Sequence, residues 1–196
     1  MGEVIVSKPS KPGDIASNLQ FLKKKQGLPP IHSWNPPFCG DIDMRISRDG
    51  QWHYNGSPIG REAMVKLFAS VLRRDDDDCY YLVTPVEKVR IQVDDAPFVI
   101  VRAEIIDGDH GKQYLFTTNI GDKVALDKGH PLVMMEDSLT KEPAPYIRVR
   151  DQLNALINRN VFYQLVEESE EIPVEGGVDL VITSQGGQYS LGRVLK

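Results

Sequence analysis

Cysteine is scarce in this chain. Cys39 and Cys79 are the only two in 196 residues, too few for a disulfide framework, so a reducing cytoplasm is the expected setting. No apolar run reaches membrane-spanning length, and the opening MGEVIVSKPS lacks the apolar core of a signal peptide. Gly2 has the position of a myristoylation site, but Val6 stands where that motif needs Ser or Thr. Basic excess is missing too. A net charge of −5 argues against a general binder of nucleic-acid polymers, which presents a basic face.

The common signatures of chemistry are equally sparse. His32, His53, His110 and His130 are scattered, with no paired cysteines and no HxxxH spacing, so no metal is expected. There is no GxGxxG after a strand and no Walker A sequence. The acidic run Asp75–Asp78 lacks the spacing and distal Glu of a calcium loop. SQGGQ at 184–188 could cradle a phosphate, but Gly186-Gly187 reads more simply as a hairpin turn.

What the chain does have is alternation. IDMRIS places Ile42, Met44 and Ile46 on one face, Asp49-Gly50 reads as a type I′ turn, and QWHY returns with Trp52 and Tyr54 together. CYYLVT, KVRIQV, PFVIVRAEII, KQYLFTT, KVAL and PLVMM continue as strands, and the Gly-rich GGVDLVITSQGGQYSLGRV closes the chain as a hairpin.

Helical spacing predicts three helices. Ile15, Leu19 and Leu22 mark the first, with Lys23, Lys24, Lys25 and Gly27 at its end. The second starts from Ser57-Pro58 and carries Ile59, Ala63, Met64, Leu67, Phe68, Val71 and Leu72. The third places Val149, Leu153, Leu156, Ile157, Val161 and Leu165 on one face. IGREAMVKLF and VRDQLNALI share an Arg, an acid and an apolar residue in similar order, a hint of two related units. The expected fold is therefore α+β: two small related units, each of mainly antiparallel strands plus a helix. The second has the outline of a pleckstrin-homology-like domain. The expected division is a mobile arm and short helix at 1–30, an N-terminal unit at 31–84 and a C-terminal unit at 85–196, joined near residues 84–88.

Three candidate sites follow. In SWNPPFCGDI, Pro36 and Pro37 exclude helix and restrict the chain, so they can hold Trp34 and Asn35 as a preorganised wall. Cys39 is the obvious nucleophile, weighed against the tendency of free cysteine to pack as a small hydrophobe. Glu87 and Lys88 lie at the expected joint, where clefts and ligands tend to sit, or else are solvated linker charge.

The runs WNPPFCGDI, DGQWHY-NG-SPIGR, LVTPVEKVRI, DDAPFV, FTTNIGD and PAPYIRVR together resemble the bacterial DUF1285 family over roughly residues 30–190. The resemblance implies an α+β protein with a duplicated motif, a superficially pleckstrin-homology-like later unit, and a non-enzymatic role. It also implies a small ligand between the units, a nucleobase-containing molecule being one candidate. The motif positions carried over as ligand-binding candidates are Trp34, Asn35, Cys39, Gly40, Trp52, Arg61, Glu87, Lys88, Phe98 and Asn119. Trp34 or Phe98 would stack on the ligand, Asn35 and Asn119 would meet its edge, and Arg61, Glu87 and Lys88 would fix its polar groups. The leading expectation is a cytosolic ligand-binding or regulatory protein with a part in signal transduction. The alternatives are a protein–protein adaptor, or a small enzyme using Cys39 or Glu87/Lys88.

Overall fold

The computed structural model describes residues 11–19, 27–109, 111–137 and 140–195. The lysine triplet and His110 lie outside the described residues, as do positions 1–10 of the expected arm. Helix α1 (Pro12–Asn18) already begins at Pro12, whose lost amide costs nothing in a first turn. The chain divides into two units: residues 1–47 with 51–93, and residues 48–50 with 94–196.

The first unit is built on a six-stranded sheet in the order β3-β2-β1-β6-β5-β4. Its strands are β1 (Phe38–Ile46), β2 (Trp52–Tyr54), β3 (Ser57–Pro58), β4 (Leu72–Arg74), β5 (Tyr80–Val83) and β6 (Lys88–Val93). Only β1 and β6 run parallel. Because β6 is an inner strand here, the joint falls after Val93 rather than at the expected 84–88.

The β1–β2 hairpin pairs Met44 with Tyr54 and Ile46 with Trp52, as the alternation predicts. Its turn is not type I′, since Gly50 (φ +81°) is left-handed but Asp49 is not. In this unit Asn55-Gly56, which joins β2 to β3, is a two-residue turn with both residues left-handed. Ser57-Pro58 is therefore strand rather than helix start. Helix α2 (Glu62–Ser70) begins after Arg61. Its Phe68 stacks on fully buried Trp52, with ring centroids 6.1 Å apart.

The second unit repeats the strand plan. Its larger sheet runs β10-β11-β12-β7-β8-β9, from β7 (Phe98–Gly108), β8 (Gly111–Thr118), β9 (Lys123–Ala125), β10 (Leu132–Glu136), β11 (Pro143–Arg150) and β12 (Leu153–Ile157). Here too the chain starts at the centre and pairs outward through three strands. It then returns from the opposite edge, so that the central pair, β7 and β12, is parallel. The duplication thus lies in strand order. It does not lie in the matched sequence runs, since IGREAMVKLF covers α2 while VRDQLNALI covers a β-hairpin.

That hairpin corrects the third predicted helix. Residues 149–157 satisfy both periods, but LNALI buries Leu153, Ala155 and Ile157 alternately, and Asp151 (φ +47°) turns the chain. Helix α3 covers only Arg159–Glu167, with the Asn158 side chain accepting from the Val161 amide at 2.9 Å. It is followed by a three-stranded sheet, β13 (Glu170–Val174), β14 (Gly177–Ser184) and β15 (Gly187–Leu195), so the helix does not close the chain. Buried Ser184 fastens this sheet, donating to the Leu126 carbonyl at 2.7 Å and accepting from the Tyr114 amide at 3.1 Å.

Candidate functional site

A concave feature of ligand size lies in the second unit. It is a cleft of about 710 Å³, within the ~300–1,000 Å³ range of small-molecule sites. Val99 and Val101 of β7 and Leu156 of β12 line it, with Pro143 and Pro145 of β11 beside them. The start of α3 contributes Asn158, Arg159, Phe162 and Tyr163, residues spaced to share one helical face.

Val101 owes its position to a bulge. Ile100 pairs with Thr118 but Arg102 pairs with Thr117, so β7 carries one extra residue here. A bulge re-aims a side chain, and Val101 is left 47% exposed, near the 56% of Tyr163. Large apolar side chains in a cleft remain wet at a cost of about 25 cal/mol per Å².

The polar part of the cleft is organised around Arg48. Its guanidinium donates to buried Asp137, and its Nε lies 3.6 Å from Asp95. Asp137 in turn accepts from the Thr140 amide at 2.8 Å. Asp95 accepts from the Tyr146 hydroxyl at 2.8 Å. Burial, then this bond to a carboxylate, holds the Tyr146 phenol well above its ordinary pKa. Arg48 is thus held in place by two carboxylates at the edge of an apolar floor. Sequence reasoning missed Arg48, Val101, Arg159 and Tyr163. None sits in a motif, and only the bulge and the course of β12 into α3 bring them together.

The sequence-selected residues fall elsewhere. Trp52 and Phe98 are fully buried, so neither ring can stack on a ligand. Asn119 is spent on backbone, accepting from the Val99 amide and donating to the Gly50 carbonyl, each at 3.1 Å. Cys39 is buried and its thiol donates to the Pro37 carbonyl at 3.5 Å, the setting of a packed thiol. Glu87 is not linker charge. It is 5% exposed and accepts from Asn18 at 3.0 Å. Lys88 pairs with Asp75 at 2.9 Å and lies 4.4 Å from the Tyr81 ring centroid. Gly40 takes φ +100° within β1. Trp34 is half-buried, Asn35 is exposed, and Arg61 is exposed beside a smaller hollow between α1 and α2. All of these lie in the first unit except Phe98 and Asn119.

The 184–188 turn lines a separate hollow of about 480 Å³ with Tyr189 and the 127–130 loop. Asp127 faces that hollow, with its Oδ1 3.2 Å from His130 Nδ1. A fixed carboxylate there opposes the phosphate cradle considered from sequence. Among the described residues, no group of three or more His, Cys, Asp or Glu could hold a metal ion. No described helix is long and apolar enough to cross a membrane.

Two units with the same strand order, one bearing a cleft, define an α+β protein of duplicated plan. The chain belongs to the DUF1285 family: residues 29–96 match its N-terminal domain of unknown function and residues 97–191 its C-terminal domain. It is similar to the crystal structure of a DUF1285 family protein from Silicibacter pomeroyi DSS-3. The identity is 50% and the TM-score 0.77, over 87% of this chain and 91% of that one. A second DUF1285 family protein, from Shewanella baltica OS155, is 32% identical with a TM-score of 0.51, over 65% of this chain and 92% of that one. No curated protein matches the chain.

Proposed function

We propose that this protein is a non-enzymatic, regulatory ligand-binding module whose site is the cleft of the second unit. Its ligand is a small molecule with a flat apolar body, a nucleobase-bearing molecule among the candidates. The observation that carries the reading is Val101, left exposed at the β7 bulge in the same cleft as Tyr163 and the anchored Arg48. A wet apolar floor with one pre-positioned cation gains from any flat body that covers it, with little ordering cost at Arg48.

A thermal-shift panel of nucleosides and nucleotides tests this. A ligand at a hundred times its Kd stabilises by about 2.7 kcal/mol. Val101→Arg, at an exposed position, should abolish the shift while leaving the unliganded melting temperature within a degree or two. A panel without any shift, or shifts that survive Val101→Arg, would refute the cleft as the site.

The second reading is a protein–protein adaptor. It draws on Val133 (40% exposed) and Met135 (36% exposed) on edge strand β10. Met135→Lys separates the two, since it should abolish capture of a protein partner and leave ligand shifts intact.

A further inference from the structure

The cleft holds charges of both signs. Arg159 opens α3 and Glu142 immediately precedes β11. The antiparallel register that sets Tyr146 opposite Leu156 brings the start of β11 beside the start of α3. Both side chains line the cleft and both are exposed, yet they do not pair with each other, and neither has an ion pair among the described residues. The other charges on its walls are Arg48, Asp49 and Asp137, with Arg48 already held by Asp137 and Asp95.

A purely anionic ligand would reach Arg159 but face the carboxylates of Asp49 and Glu142, Asp137 being buried and paired with Arg48. A purely cationic one would meet Glu142 but face the Arg159 guanidinium, Arg48 being held between Asp137 and Asp95. Like-charge juxtaposition rejects both. We infer that the cleft is built for a small amphoteric molecule, an organic acid that also carries an ammonium group, with an apolar body between or beside the two charges. Arg159 takes the acid group, Glu142 takes the ammonium, and Val101, Leu156 and Tyr163 cover the body. This rests on the cleft being the ligand site and adds the charge pattern of what enters it.

The test is NMR titration of the full chain with three compounds that share a phenyl body: L-phenylalanine, 3-phenylpropanoate and 2-phenylethylamine. Adenosine serves as an uncharged control. L-Phenylalanine should bind at Val101 and Tyr163 at least tenfold more tightly than either singly charged compound. Arg159→Gln should weaken L-phenylalanine and 3-phenylpropanoate at least fivefold and leave 2-phenylethylamine within twofold. Glu142→Gln should do the converse, weakening L-phenylalanine and the amine and sparing the acid. Both positions are exposed, so folding is not at stake, and raising the salt should shrink both effects. Equal affinities across the three phenyl compounds, or variants that change nothing, overturn the inference. In that case adenosine shifts at Val101 would leave the cleft itself standing, whereas no response there to any compound would remove both.

Discussion

Arg73 holds Trp34 by its carbonyl. The Arg73 Nη1 donates to the Trp34 oxygen and to the Ile31 oxygen, each at 3.1 Å, while its Nε donates to Asp75 at 2.6 Å. The proline-stiffened segment before β1 is therefore fastened at both ends of a short arc by one guanidinium. Its rigidity comes from this clamp as well as from Pro36 and Pro37.

Lysine cannot supply the same fork. Arg73→Lys keeps the charge but leaves carbonyls of the arc without their donors, and hydrogen bonds to charged groups are worth about 1.5–3 kcal/mol. The expected cost is about 2–3 kcal/mol in urea denaturation. Trp52 is fully buried and Trp34 only half so, so any red shift in emission under native conditions should arise from Trp34. An unchanged urea midpoint would mean that the clamp carries no stability.

Asp75 makes the same arrangement sensitive to acid. Burial alone raises its pKa, but hydrogen bonds from Arg73 and Lys88 outweigh this and hold the carboxyl below its ordinary value. A depressed folded-state pKa contributes stability above the unfolded pKa of about 3.9, and this is lost as pH falls through the folded value. The gap in stability between wild type and Asp75→Asn should therefore be full at pH 7 and 5 and shrink by pH 3. Urea midpoints at those three pH values measure it, and a gap independent of pH contradicts the assignment.

Strands were legible from the sequence because alternation survives wherever one sheet face is buried, as in Met44, Ile46 and Trp52 of the first hairpin. The third helix is overread because apolar positions from Val149 to Leu165 fit a helical period when counted across the Asp151 turn and the end of β12. Asn55-Gly56 was a readable turn signal that Asp49-Gly50 obscured. The cleft was not legible. It depends on an extra residue in β7 and on Arg48, which lies between strands of the first unit but belongs to the second. Neither a bulge nor a cross-unit residue leaves a periodic trace.

Gly50 is required twice over, by its backbone and by its neighbour. Its φ of +81° disfavours a side chain, and an added Cβ would stand 2.4 Å from Asn119 Nδ2 and 3.2 Å from Val99 Cγ2. The left-handed backbone alone costs a non-glycine residue about 1–2 kcal/mol, and displacing Asn119 breaks its bond to the Gly50 carbonyl. Gly50→Ala should thus cost more than Asn119→Ala, which removes the clash but strands the Val99 amide. The double variant should cost less than the sum of the two, because the clash and the bond share one partner. Strict additivity by urea denaturation would contradict the coupling.

Four of the seven tyrosines are set to resist ionisation in the folded chain. At Tyr81 the main cause is its hydrogen bond to Asp77. At Tyr114 and Tyr146 it is burial, reinforced by bonds to Glu168 and Asp95. Burial also raises Tyr189, with the charge of Asp127 adding to it. Each binds its proton more tightly when folded, so its contribution is complete below the unfolded pKa of about 10 and is lost as pH rises past that value. Absorbance at 295 nm should therefore reach well under the unfolded amplitude at pH 11 before unfolding begins, and stability should decline from pH 10 upward. Tyr114→Phe removes the phenol that Glu168 holds and should make that decline shallower. A decline of unchanged steepness would mean that Tyr114 ionises as readily in the folded chain as in the unfolded one.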